Sequence, residues 1–138
     1  EAVYYRTPAD KGVTFDVKGL KKLPKVGIVY GHSDISSDMV EPMIRNGYEG
    51  IIYAGVGNGN IHRNVFPTLE KARSKGIQVV RSSRVPTGPV TLYNEVDDEA
   101  YRFIAAQQHN PQKARILLML ALTKTDDWKE IQDYFNNL

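Results

Sequence analysis

Gly50-Ile51-Ile52-Tyr53-Ala54-Gly55-Val56-Gly57-Asn58-Gly59-Asn60 is the stretch that decides the fold. Its first half is a short apolar run of strand length. Its second half places glycine at every second position and ends on an asparagine amide. A helical pattern begins at about Asn64. Strand, glycine-rich loop and helix make an α/β unit, and the ends of such strands are where open α/β sheets place their ligands. A backbone this rich in glycine costs conformational entropy on folding, which points to a tight turn or a close approach.

The same grammar extends in both directions. Upstream, Val26-Gly27-Ile28-Val29-Tyr30 reads as a short buried strand. The polar loop Gly31 to Asp34 follows it, with Ser36, Ser37 and Asp38 as helix-cap candidates. Met39, Val40, Met43 and Ile44 share a helical face, which Gly47 ends. Downstream, Val65, Leu69 and Ala72 mark a helix closed by Gly76, and Ile77-Gln78-Val79-Val80 is a third strand. This β-α-β-α-β order with short connections predicts a right-handed parallel arrangement. A fourth short strand is expected at Val90-Thr91-Leu92-Tyr93, before an acidic turn from Asn94 to Asp98. Asn110-Pro111 starts a helix running to about Leu122, apolar nearly all round and therefore expected to be buried. A last helix starts near Asp126 or Asp127 and carries an Ile131, Tyr134, Phe135 stripe.

The expectation is a small three-layer α/β domain with a mainly parallel four-stranded sheet over residues 25–138. Residues 1–24 lack helical periodicity, contain Pro8, Gly12, Gly19 and Pro24, and read as an extended arm. Ala2-Val3-Tyr4-Tyr5 reads as a strand with nothing before it to pair with, and the first residue is Glu1. The chain is therefore expected to be the later part of something longer. Thr14-Phe15-Asp16-Val17 suits docking of the arm on a neighbour.

Composition bounds the function. The 138 residues are 41% hydrophobic and 25% charged, the profile of a globular domain. A formal net charge of +2, with scattered basic residues, does not call for nucleic acid or an anionic membrane as partner. No cysteine is present, which excludes disulfides, thiolate metal sites and a cysteine nucleophile. The longest apolar run, Ile116 to Leu122, has the length of a core helix segment and not of a membrane span.

Several residues invite a chemical reading. A dinucleotide fingerprint fails by position: started at Gly55 it meets Asn60 where glycine is needed, and started at Gly57 it meets His62. The acidic residue expected after the next strand is replaced by Arg81, which leaves an NADP reading with Arg81 on a 2′-phosphate. A tight strand-to-helix turn fits the loop equally well. Tyr93-Asn94-Glu95-Val96-Asp97-Asp98-Glu99 packs four carboxylates into one turn, where most are expected to be solvated. One of them facing a cleft beside Asn60 would suit a small ligand with an ammonium group. His32, His62 and His109 are isolated and lack metal-ligand spacing. Ser82 and Ser83 lie at a strand end without a nucleophile elbow, which favours backbone hydrogen bonding.

The order of these pieces resembles the C-terminal domain of bacterial-type L-asparaginases, in particular the secreted type II enzymes. The pieces are Leu23-Pro24-Lys25-Val26, the run from Gly50 to Asn60, Arg81-Ser82-Ser83-Arg84-Val85, Asn110 through Thr123, and Ile131-Gln132-Asp133-Tyr134-Phe135. Tyr4-Tyr5 and Phe15-Asp16-Val17 are similar to the family's interdomain connection, so the likeness spans the chain.

The resemblance implies hydrolysis of L-asparagine to L-aspartate and ammonia with some glutaminase activity, no cofactor, a periplasmic or secreted location, and homotetramers built from two intimate dimers. It implies a larger N-terminal domain holding the nucleophilic threonine, and a C-terminal domain that completes the neighbouring subunit's site. The residues that match its contribution are Asn60 and Glu95, both near the substrate's α-amino end. The chain holds no Thr-Gly-Gly-Thr and no Thr-Asp-Thr motif, and Thr123-Lys124-Thr125-Asp126 reads as a cap between helices. Alone it is expected to be inactive, with no catalytic residue of its own. The rival readings are a stand-alone α/β module binding a nucleotide or small anion at the glycine loop, and an oligomer surface on the last helices.

Overall fold

The computed structural model describes residues 12–138. The strand read at Ala2 to Tyr5 and the first part of the arm lie outside the described residues. Residues 12–25 form neither helix nor strand. Phe15 packs on the domain itself, its ring 5.2 Å from that of Tyr134, so its partner lies in the same chain.

Four strands form one sheet in the order β1-β2-β3-β4: β1 Val26–Tyr30, β2 Gly50–Gly55, β3 Gln78–Ser83 and β4 Ile104–Ala105. Every pairing is parallel, with Val26 opposite Gly50, Gly50 opposite Gln78, and Val80 opposite Ile104. The helices are α1 Glu41–Arg45, α2 Phe66–Ser74, α3 Asp98–Tyr101, α4 Pro111–Ala121 and α5 Trp128–Asn137.

Residue alternation along the strands makes the three layers. Val26, Ile52, Val80 and Ile104 pack with Leu117, Leu118, Ile131 and Phe135 of α4 and α5. Val29, Ile51, Tyr53 and Val79 point the other way, into a cluster with Leu69 and Ala72 of α2 and with Phe103. β2 is buried along its whole length, as expected of a strand covered on both faces. Helix ends follow the sequence rules. Asn110 accepts the Lys113 N–H at 2.8 Å, and Asp127 accepts those of Lys129 and Glu130. Gly47 and Gly76 take left-handed φ angles just past α1 and α2.

Three expectations are corrected. The fourth strand is not at Val90 to Tyr93. Val90 makes only an isolated antiparallel bridge to Gln107, and β4 is the two-residue Ile104–Ala105. The helical face at Met39 to Ile44 is split between a 3-10 turn, Ser37–Met39, and the short α1, because Pro42 has no N–H and fits only the first helical turn. Finally, α4 is buried on one side only, since Ile116 is 50% exposed.

The outer edge of β4 carries a device that no periodicity reveals. Gln132 of α5 is buried, and its amide pairs with Ala105 as a further strand would. The Ala105 N–H donates to Gln132 Oε1 at 2.7 Å, and Gln132 Nε2 donates to the Ala105 carbonyl at 3.1 Å. Gln132→Leu strands both backbone groups. It should cost about 2–4 kcal/mol, at ~1–3 kcal/mol per unsatisfied buried group. Equilibrium urea denaturation measures this, and an unchanged midpoint would show that the edge does not need the amide.

Candidate functional site

The strand order runs β1 to β4 without reversal. No topological switch point therefore opens a crevice in this sheet. The loops at the strand ends make the opening instead. A cleft of about 360 Å³ lies beyond the C-terminal ends of β1 and β2, lined by Gly31, Asp34, Tyr53, Asn60, His62 and Arg84 among others. Tyr53 forms its floor. Its hydroxyl accepts the His62 N–H at 3.2 Å and sits so near Gly31 that a side chain there would collide with it.

The glycine loop turns back on itself at the rim. Val56 and Asn60 pair antiparallel, and the Asn60 N–H donates to the Val56 carbonyl at 2.9 Å. Gly55 has no room for a Cβ against the Asn60 backbone. Gly59 takes φ +73° with Val90 and Ser82 packed against it. The glycines thus serve close backbone packing. The end of β3 holds the loop from behind: Ser83 Oγ donates to the Gly57 carbonyl at 2.6 Å, and the Arg84 N–H donates to that of Gly55 at 2.9 Å. Ser82 Oγ donates to the His109 carbonyl at 3.2 Å, so both serines do the backbone work read from the sequence.

Arg81 corrects an expectation. Its side chain is fully buried, and all three guanidinium nitrogens are occupied. Nε and Nη2 donate to the two carboxylate oxygens of Asp98, each at 2.6 Å. Nη1 donates to the Asn58 carbonyl and Nη2 also to that of Thr91, both at 3.0 Å. A guanidinium so engaged is not available to a 2′-phosphate. The nucleotide reading also lacks a helix to cap, because α2 begins only at Phe66.

The acidic turn divides in two. Asp98 is fully buried and accepts the Tyr93 N–H at 2.9 Å in addition to Arg81. Glu95 is exposed and, among the described residues, has no hydrogen-bond partner. It does not line the cleft. Asn58 ties its loop to the glycine loop: Asn58 Nδ2 donates to Thr91 Oγ1 at 2.9 Å, and the Thr91 N–H donates to Asn58 Oδ1 at 2.7 Å. Asn60 therefore stands in the cleft wall, and the loop that carries Glu95 is tied to the glycine loop through Thr91.

Sequence reasoning missed Asn58, Asp98 and the placing of His62. The histidine lines the cleft, and its Nδ1 accepts the Asn64 N–H at 3.2 Å. His32 also lines the cleft, whereas His109 stacks edge-on against Phe135 with ring centroids 5.4 Å apart.

The glutaminase/asparaginase C-terminal domain model matches residues 25–135. The chain belongs to that family. Among curated relatives, it is 53% identical over 136 residues to L-asparaginase 2 of Escherichia coli, and 49% identical over 137 residues to a probable periplasmic L-asparaginase of Haemophilus influenzae. A glutaminase-asparaginase of Pseudomonas fluorescens is 42% identical over 139 aligned positions. These alignments cover 96%, 97% and 98% of this chain but only 39%, 39% and 38% of the relatives. The chain thus spans about two fifths of the length of the curated relatives it matches. Within the family match lie all the parts just described, from the cleft to the Arg81–Asp98 pair.

Asp98→Ala leaves the Arg81 charge buried and unpaired. It should destabilise the fold by about 3–5 kcal/mol. Replacing both, as Arg81→Met with Asp98→Leu, should cost less than the sum of the single changes, because no charge is stranded. Denaturation of the wild type, Arg81→Met, Asp98→Leu and the double variant completes a double-mutant cycle that checks this, and simple additivity would show that the two charges are not coupled.

Proposed function

We propose that this chain is the C-terminal part of an L-asparaginase, which hydrolyses L-asparagine to L-aspartate and ammonia with glutaminase side activity. It supplies substrate-recognition groups to the active site of a neighbouring subunit in a homotetramer. What supports the reading is Asn60 in the cleft wall, together with an exposed, unpartnered carboxylate, Glu95, on a loop that Asn58 and Thr91 tie to the glycine loop. The family match and the names of the relatives support the choice of substrate.

The roles follow from the chemistry of an amino acid. Its α-ammonium group is a cation with three donors, and an ionised carboxylate is the acceptor that bonds it most strongly. Glu95 plays that part. Its carboxylate has no internal partner to give up when substrate arrives. Asn60 offers both a donor and an acceptor, and so orients a group that carries both, or orients Glu95 itself. Neither residue attacks the amide. The nucleophilic threonine belongs to the N-terminal part of the complete subunit, and residues 25–138 form the recognition domain behind an interdomain arm over residues 1–24. Thr123 and Thr125 are engaged otherwise: Thr123 Oγ1 donates to the Leu120 carbonyl, and Thr125 Oγ1 accepts the Asp127 N–H.

Exposed Ile116 on α4 supports contact with another subunit. The name of the Haemophilus influenzae relative supports a periplasmic location. Among the described residues, no helix is long and apolar enough to cross a membrane.

In the complete subunit, Glu95→Ala should lower kcat/KM on asparagine on the order of 10- to 100-fold, the worth of one hydrogen bond to a charged group. The loss should fall chiefly on KM. Asn60→Ala should act in the same direction. The described domain alone should release no ammonia from asparagine until a chain carrying the N-terminal domain is added. Unchanged kinetics in both variants would remove the recognition role, and hydrolysis by the domain alone would remove the division of labour.

A further inference from the structure

Glu95 is placed by its loop and not by bonds to its own carboxylate. Something must therefore hold that loop. We propose that Asn58, backed by the buried Arg81–Asp98 pair, is a positioning residue that sets where Glu95 stands relative to Asn60. This rests on the recognition roles proposed above.

A two-sided clamp joins loops that are 33 residues apart. From the front, the Asn58 amide makes two bonds to Thr91, one to its hydroxyl and one from its backbone N–H. Two bonds from one planar amide fix rotation as well as distance. From behind, the Arg81 guanidinium holds the carbonyls of the same two residues, Asn58 and Thr91. Asp98 then fixes the stretch on either side of Glu95. Its carboxylate accepts the Tyr93 N–H, and its own N–H donates to the Val96 carbonyl at 2.9 Å.

The backbone bears the mark of this constraint. Tyr93 is 61% exposed and held at φ +59°, a conformation that non-glycine residues rarely adopt. Such outliers persist only where the surroundings over-determine them. A buried ion pair is a poor way to gain stability, because apolar residues of the same volume often serve as well. What it provides here is a rigid fork of donors, aimed at two loops at once.

A merely structural clamp would affect folding alone, whereas a positioning clamp acts through Glu95. Asn58→Ala is measured in the complete subunit, alone and combined with Glu95→Ala. Alone, it should raise KM for asparagine on the order of tenfold, with kcat moved far less and the unfolding midpoint little changed. Combined with Glu95→Ala, it should raise KM no further. Asn58→Asp keeps the acceptor for the Thr91 N–H and should recover part of the loss. Thr91→Val removes the hydroxyl that accepts from both Asn58 and Asn94, and with Asn94→Ala as its control it reads the same clamp if Asn58→Ala does not fold. A KM unmoved by these changes while Glu95→Ala raises it, or raised equally in both backgrounds, overturns the clamp and leaves the recognition role standing. A KM unmoved by Glu95→Ala itself overturns the recognition role of Glu95, and the clamp falls with it.

Discussion

The Arg81–Asp98 ion pair is the constraint on which the functional end of this domain depends. Both side chains are completely withdrawn from solvent, and the fork of Arg81 meets the carboxylate with two bonds of 2.6 Å. Charges so buried are tolerated only when nearly every polar atom finds a partner. Arg81 meets that demand with the carbonyls of Asn58 and Thr91. Each loop thereby covers a charge, and neither can leave without exposing it. The pair is also anchored in the sheet, because Arg81 stands in register with Tyr53 on β2 and Ala105 on β4. Rigidity passes from the strands to the loops through one side chain.

The sheet provides the base for this arrangement. A strand order without reversal offers no ready-made crevice, so the loops themselves must shape the cleft. The glycines of the β2 loop let its backbone fold against itself and against the end of β3. That packing explains a motif which looks like a phosphate cradle and lacks its spacing. On the far edge, Gln132 replaces the missing neighbour of β4 with a side-chain amide. A strand of only two residues stays in place because a helix on the other face completes its hydrogen bonds.

Much of the fold was legible in the sequence because it rests on local periodicity. The apolar runs at 26–30 and 50–55, the Asn110-Pro111 start and the last helix with its Ile131, Tyr134, Phe135 stripe appear as read, while the third strand starts one residue later than 77 and runs on through Ser83. β4 was misplaced for a physical reason. Two residues have no period, and Val90 to Tyr93 looks more like a strand than Ile104–Ala105 does. The loop after β3 follows the needs of Arg81 and Asn58 instead. Resemblance pointed to Asn60 and Glu95, and residue type pointed to the strand-end serines, which bond backbone carbonyls as expected. Asp98 was hidden among three exposed acidic neighbours, for nothing local distinguishes a carboxylate that will meet an arginine 17 residues earlier.

The layers of this protein follow from patterns local in its sequence. Alternation in the strands, amphipathic helices and capping residues act between near neighbours, and their outcome can be read from one short window at a time. Folding alone selects the carboxylate that is buried with Arg81 and leaves Glu95 exposed. It also decided that Asn58 would join the two loops. Those choices depend on groups brought together from distant parts of the chain, where burial makes each unpaired charge costly and so allows one pairing to win.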